Sequence, residues 1–378
     1  MKNKLDIQWF IEQHPDWEKL LAEKPYCITV TRDEMLGKKL IMLKYSQIDS
    51  DFNMKLVREC RGLILDADTN EIVSFPFTKF FNFGEANAAE IDWKSASILQ
   101  KVDGSLVKIV RIGEKLLIST NGTIDAFKAP VAEQIGCKYK SFGEIVQEVL
   151  NEKCVIFADF VEGETYMFEL VSPWTRVVVP HKANDMYFLG VRHNESFEEF
   201  LPYGHPLATR FKTPEKFNLH TLDECIAATK QMPWDEEGYV VVDSKFNRVK
   251  VKSPAYVAAH GLKNNGVMSY ARAIELVRAN EIDEVCSYFE EFRPALEECK
   301  SRFWKLVEDC ENAWQEYLKI DSSLETRKDK ALWITKNFKI PGLAFGILDK
   351  KIASVRDFFM DMPADKLLKH LGYKEQAE

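Results

Sequence analysis

KVDGSLVKIVRIGEKLLIST, residues 101–120, is two strand-like runs meeting at IGEK. Apolar and β-branched residues alternate with polar ones on both sides of Gly113-Glu114, the pattern of an antiparallel hairpin. The start of the stretch fits less well. Lys101 and Asp103 flank Val102 just ahead of Gly104, where the neighbouring residues look ready for burial. K-x-D-G alone decides little, since at average residue usage roughly one chain in ten of this length contains it by chance. By itself it reads as a surface hairpin turning at Asp-Gly.

Working outward, CITVTR, KKLIMLKY, RGLILDA and EIVSFPF alternate or run apolar, with DADTN as a turn between two of them. CVIFADFVEGETYMFELV reads as a hairpin at EGE, RVVVP and MYFLGVR as strands, and EGYVVVDSKFNRVKVK as a further strand pair. Two short amphipathic helices split by Pro15 open the chain, and a helix near 126–150 is inserted. The pattern predicts α+β structure dominated by antiparallel sheet over residues 1–257. From 258 to 378 the texture changes: RAIELVRAN, DEVCSYFEEFRPALEECKSRFWKLVEDCENAWQEYLKI and RDFFMDMPADKLLKHLGY have helical spacing and no strand alternation, so an all-helical domain is expected there.

The chain has 378 residues, 46% hydrophobic and 29% charged, an ordinary globular make-up. A net charge of −8 argues against a nonspecific nucleic-acid coat but leaves room for a local basic groove. The eight cysteines form no CxxC pair, which points to reduced thiols rather than a zinc knuckle or disulfide framework. No run of about 18 apolar residues suggests a membrane span, and the first residues do not read as a signal peptide, so a cytoplasmic monomer is expected.

Several charged residues sit in odd company. In RVKVKS, alternation puts Lys250 and Lys252 on one face and Val249 and Val251 on the other. Two neighbouring lysines repel unless an anion lies between them; otherwise they form a solvated face. Glu237 heads the apolar strand EGYVVV beside a glycine that permits close approach. Glu169 interrupts YMFELVSP, as a paired core carboxylate or as a ligand-binding one. Lys79 in FTKFFNFGE and Arg61 in RECRGL sit in aromatic and cysteine-glycine settings, and either reads also as a structural ion pair.

Together these pieces resemble the covalent nucleotidyltransferase superfamily of ligases and capping enzymes, and most closely the bacteriophage T4 RNA ligase 1 family. The ordered matches are Cys60-Arg61-Gly62, Lys79-Phe80-Phe81-Asn82, Lys101-Val102-Asp103-Gly104-Ser105, Phe168-Glu169-Leu170-Val171 with Pro173 and Arg176, Glu237-Gly238-Tyr239-Val240 and Lys250-Val251-Lys252-Ser253. One departure stands out: STNGT carries Asn121 where the family commonly has a basic residue. The resemblance implies an antiparallel-sheet, ATP-grasp-like nucleotidyltransferase domain of the ligase and capping type, followed by the helical domain.

It also implies an ATP-dependent RNA ligase, working in three steps with Mg²⁺ or Mn²⁺. Lys101 attacks the α-phosphate of ATP to form a lysyl-AMP, AMP passes to an RNA 5′-phosphate to give adenylated RNA, and a 3′-hydroxyl displaces AMP. A free lysine has a pKa of about 10.4, and bringing it near 7 takes roughly 4 to 5 kcal/mol of destabilisation of the ammonium. Apolar neighbours, Lys250, Lys252 and a metal act in that direction. By carry-over, Lys250 and Lys252 hold the α-phosphate, Glu237 and Glu169 orient metal-bound water and the ribose, and Asp103, beside Gly104, serves the ribose or a metal-bound water. Arg61 and Lys79 meet the β and γ phosphates or the RNA end. Tyr256 supports the phosphate site or is a core aromatic, and Asp283 and Glu284 are an acidic pair of the helical domain, for metal or merely exposed. That domain is associated in the family with folded RNA, notably a tRNA broken in its anticodon loop.

Rival readings are DNA nick sealing or GTP-dependent capping through the same lysine, both disfavoured by a helical tail in place of a small barrel. From a different class comes a catalytically silent RNA-binding repair scaffold.

Overall fold

The computed structural model describes residues 3–261, 270–288 and 290–373. Asp6–Gln13 and Trp17–Ala22 are the two short helices either side of Pro15. A first antiparallel sheet follows in chain order: β1 (Ile28–Met35), β2 (Lys38–Tyr45), β3 (Arg61–Asp66) and β4 (Ile72–Ser74). Next come β5 (Phe81–Asn82) and β6 (Ser97–Gln100), and then the hairpin of residues 101–120 as β7 (Ser105–Ile112) and β8 (Lys115–Thr120), paired Ile112↔Lys115 across the turn. The remaining strands are β9 (Glu164–Val171), β10 (Asp185–His193), β11 (Glu199–Phe200), β12 (Lys216–Phe217), β13 (Gly238–Val242) and β14 (Arg248–Lys252).

The second sheet has the order β11-β10-β9-β7-β8 and the third β12-β6-β13-β14-β5. Both are antiparallel apart from the parallel pair β14 and β5. Strand alternation explains how they pack. Val107 and Ile109 of β7, with Phe168, Leu170, Met186 and Phe188, bury against Ile145, Val146, Val149 and Leu150 of the helix Phe142–Glu152. On the opposite face Val110 and Leu117 meet Leu40, Met42 and Ile64 of the first sheet. The second sheet is therefore covered on both sides, and Lys108, between Val107 and Ile109, is fully buried. Ile98, Tyr239, Val241, Val249 and Val251 of the third sheet pack with Cys225 of the helix Leu222–Thr229. Each such side chain contributes about 1.5–3 kcal/mol by leaving water.

Three predicted elements differ. Residues 154–160 form a turn and the 3₁₀ segment Phe157–Asp159 instead of a strand, with Asp159 bonded to the Ile156 N–H and ion-paired with Arg210. RVVVP forms no strand, because the Val178 and Val179 N–H groups bond a side chain instead. The helix expected near 126–150 is split into Ala126–Lys128 and Phe142–Glu152.

The chain divides into two compact units, Met1–His260 and Gly261–Glu378, with the division three residues beyond the boundary expected after 257. The second unit is helical among its described residues, dominated by the 28-residue helix Arg293–Ile320, whose Leu296, Cys299, Phe303, Leu306 and Val307 form a buried stripe. Among the described residues no helix is long and apolar enough to cross a membrane. All eight cysteines are free thiols.

Candidate active site

Lys101 lies in the loop joining β6 to β7, anchored by its N–H to the Gly238 carbonyl at 2.8 Å. Because β13 runs between β6 and β14, with Tyr239↔Gln100 and Gly238↔Lys252 in register, the residue ahead of β13 meets the ends of both neighbours. Lys101 Nζ is 2.7 Å from Glu237 Oε1, and Lys252 Nζ is 3.4 Å from the same oxygen. Glu237 is only 4% exposed, so one buried carboxylate oxygen balances two ammonium groups. Gly238 makes this convergence possible: it has φ +126°, and a Cβ there would run into the Val251 carbonyl. A Cβ on Gly104 would likewise strike the Leu170 carbonyl and come within 3.0 Å of Glu169 Cγ. Glycine there lets the start of β7 close on β9 and brings Glu169 beside the lysine loop.

A cavity of about 330 Å³ opens beside this cluster, lined by Lys101, Glu169, Lys250, Arg61 and Asn121, with apolar walls that include Phe80, Leu99 and Val240. Lys250 Nζ sits 5.1 Å from the Phe80 ring centroid and the Arg61 guanidinium 5.6 Å from it, so one aromatic ring carries two cations. Arg61 Nη1 and Asn121 Oδ1 are buried with no hydrogen-bond partner. Such orphans cost about 1–3 kcal/mol each unless a ligand or water satisfies them. Burial pushes the Glu169 carboxyl up to about 7; Lys101 opposes this, Glu237 adds to it, and the smaller effects of Arg61 and Asp103 oppose each other. The arrangement suits an anionic ligand against Lys101, Lys250 and Arg61, with a cation or hydrogen-bond donor at Glu169.

The other expected residues are placed differently. Asp103 is held by hydrogen bonds within the protein: Oδ2 accepts the Val178 and Val179 N–H groups at 2.9 and 2.6 Å, and Oδ1 accepts the Tyr256 hydroxyl at 2.8 Å. His181 Nε2 donates to the Asp103 carbonyl at 2.7 Å. Asp103 thus ties the lysine loop to two distant segments, and the buried Tyr256 acts through it, with its ring 5.7 Å from Lys252 Nζ. Lys79 donates to Gln47 Oε1 at 2.9 Å, stacks near Tyr45, Phe52 and Phe81, and lines a neighbouring cavity rather than that of Lys101. Asp283 and Glu284 begin the helix Ile282–Tyr288 in the second unit; Asp283 is 68% exposed and paired with Arg293 at 3.1 Å.

Two residues escaped the sequence reading. Arg248, in the strand RVKVK, lines the Lys101 cavity while pairing with buried Glu199 at 2.6 Å. Lys108 donates to the Gly62 carbonyl at 2.5 Å, and burial, with Arg61 nearby, lowers its pKa to about 7. Gly62 has φ +77°, and a Cβ there would lie 2.9 Å from Asn121 Cα and 3.0 Å from Lys108 Nζ. Lys108 therefore underpins the irregular start of β3, where the register shifts at Gly62 beside Arg61.

Residues 59–256 match the model of the RNA ligase family. A protein of Autographa californica nuclear polyhedrosis virus, provisionally named bifunctional polynucleotide kinase/RNA ligase, is 29% identical over 270 residues, which are 66% of this chain and 37% of that one. RNA ligase 1 of Bacteriophage TS2126 is 26% identical over 242 residues, 59% of this chain and 56% of its own. The chain thus spans well under two thirds of either relative. Among solved structures, an archaeal ATP-dependent RNA ligase aligns with 98% of this chain and 90% of its own, at 12% identity and a TM-score of 0.45. The family match takes in just over half of the chain and all six ordered motifs from Cys60 to Ser253, and the chain belongs to the RNA ligase family.

Proposed function

We infer that this protein is an ATP-dependent RNA ligase that joins 5′-phosphate and 3′-hydroxyl ends through a lysyl-AMP on Lys101. The observation that carries the reading is the shared carboxylate: Lys101 and Lys252 meet on Glu237 Oε1 at the edge of a cavity that also holds Lys250 and Arg61. A nucleophilic lysine must be held in place, lose its proton and face a phosphate whose charge is offset.

In the first step the Lys101 amine forms a P–N bond to the α-phosphorus of ATP as the bond to pyrophosphate breaks. Glu237 Oε1, 2.7 Å away, is the first acceptor within reach of the proton shed by the amine. Lys250 and Lys252 take the α-phosphate oxygens, and Arg61 offers its unpartnered Nη1 to the phosphates beyond. In the second step an RNA 5′-phosphate oxygen bonds to the AMP phosphorus, the P–N bond breaks and Lys101 takes a proton back. In the third a 3′-hydroxyl attacks the RNA 5′-phosphorus and AMP leaves. Asp103 and Tyr256 fix the lysine loop throughout.

The residues fit a divalent ion. Glu169, held half-neutral near pH 7 by its crowded, buried setting, gains by meeting a cation. No group of three His, Cys, Asp or Glu among the described residues would cage a metal, as suits Mg²⁺ or Mn²⁺ bound through one or two carboxylates, water and phosphate oxygens. Glu169 and Glu237 would hold it, and it would neutralise polyphosphate charge. The helical unit would recognise the RNA, with a tRNA broken in its anticodon loop as the substrate the family resemblance suggests.

The test is sealing of a 5′-labelled RNA with ATP, GTP or no nucleotide, and of a nicked DNA duplex in parallel. Circularised or joined RNA with ATP supports the reading; joining of DNA alone, or a requirement for GTP, refutes it.

A further inference from the structure

Next to the Lys101 cavity, and sharing Phe80 and Arg248 with it, lies a larger one of about 570 Å³. It includes none of Lys101, Lys250, Lys252, Glu169 or Glu237. Its walls carry Lys4, Lys55, Arg58, Lys79, Arg192 and Arg248 against the single carboxylate of Glu59, in a chain whose net charge is −8.

Some of that charge is already balanced. Lys4 pairs with Glu12, and Lys55 with Asp6 and Glu59. Arg192 and Arg248 share one carboxylate, Glu199, so this buried triad keeps a net positive charge; Arg192 is 5% exposed and its Nε is buried without a partner. Arg58 is half-buried, with no ion pair or side-chain hydrogen bond among the described residues, and its carbonyl accepts the Lys79 N–H at 2.9 Å, which joins the two backbones in one wall of the cavity. Phe75, Phe80, Phe81, Phe197 and Phe246 complete the walls. Unbalanced guanidinium charge beside aromatic faces is the chemistry that takes a nucleotide, with cations on the phosphate and rings on the base.

We propose that this cavity receives the 5′-phosphorylated terminal nucleotide of the RNA, with Arg58 gripping the phosphate and Arg248 in the wall shared with the adenylate site. The proposal rests on the ligase reading. In the second step the incoming 5′-phosphate must reach the phosphorus bonded to Lys101, so its site has to adjoin the lysine cavity without occupying it. A dianionic 5′-phosphate and the anionic phosphorus centre of the lysyl-AMP repel each other, and Arg248, in the wall common to both cavities, is placed to offset that repulsion.

The test uses Arg58→Ala and Arg58→Lys in the full chain, with two readouts. One is AMP attachment to the protein from ATP, by intact mass. The other is binding of a short 3′-fluorescein RNA in 5′-phosphate and 5′-hydroxyl forms, followed by AMP transfer to the phosphorylated form. The wild type should prefer the 5′-phosphate, and Arg58→Ala should cut that preference by about tenfold, the value of one charge-assisted phosphate contact. Arg58→Ala should also slow AMP transfer while leaving AMP attachment intact, and Arg58→Lys should recover most of the preference. Equal binding of both RNA forms by the wild type, equal weakening of both by Arg58→Ala, or loss of AMP attachment in parallel with transfer would each overturn the proposal. A phosphate preference that depends on Arg58 in a protein forming no AMP adduct would sink the ligase reading and leave the phosphate site standing.

Discussion

Lys108→Met tests the reasoning where structure and sequence diverge most. The lysine is 0% exposed, donates one hydrogen bond to the Gly62 carbonyl and lies near Arg61, and its pKa in the folded state falls to about 7 from a usual 10.5. Between those values the unfolded chain binds a proton that the folded chain does not. Stability therefore rises with pH from about 7 to about 10, by about 1 kcal/mol per pH unit, and the cost is complete below 7, where both states are charged. Methionine has a similar length and no charge, so the variant loses that slope. At pH 7 it escapes a desolvation cost of several kcal/mol and forfeits one hydrogen bond worth about 1 kcal/mol. Urea unfolding of both proteins at pH 7, 8 and 9 should give curves that converge as pH rises, with the variant ahead at pH 7. Parallel curves would refute the buried-lysine account. Freed from its anchor, the Gly62 end of β3 should also misplace Arg61, so the more stable variant should form its AMP adduct more slowly.

Two further outcomes follow from the carboxylates. Glu237→Gln leaves Lys101 and Lys252 without their shared anion and the amine without its nearest proton acceptor. Single-turnover adduct formation should fall by about 10²–10⁴-fold, with RNA binding unchanged. In the ATP-free chain the Glu169 carboxyl sits at about 7, so metal-dependent adduct formation should decline as pH drops from 8 to 6. Glu169→Gln should remove that limb from the rate profile; an unaltered profile would assign the titration to another group.

Much of the site was legible because strand alternation with one covered face leaves a strong mark. Val249 and Val251 pack toward the helix Leu222–Thr229, so Lys250 and Lys252 had to share the other face. The structural partners of Asp103 were not legible because they lie 75, 76 and 153 residues away, and no local pattern announces them. The same contacts explain why RVVVP, so strand-like in composition, is not one. Lys108 was not singled out within the strand-like run SLVKIVRI. The first sheet lying over that face turns it into a buried charge, a cover that Val110 and Ile112 on the same face also pack against. Arg248 hid for a related reason: its cavity is made by segments from across the N-terminal unit.

The central claim is that Lys101 carries the nucleotide, and intact-mass spectrometry of the protein incubated with ATP and Mg²⁺ tests it most directly. The account predicts a gain of one AMP, absent with GTP, absent in Lys101→Ala and reversed by pyrophosphate. An adduct that persists in Lys101→Ala, or none at all on protein first freed of bound AMP by pyrophosphate, would contradict it.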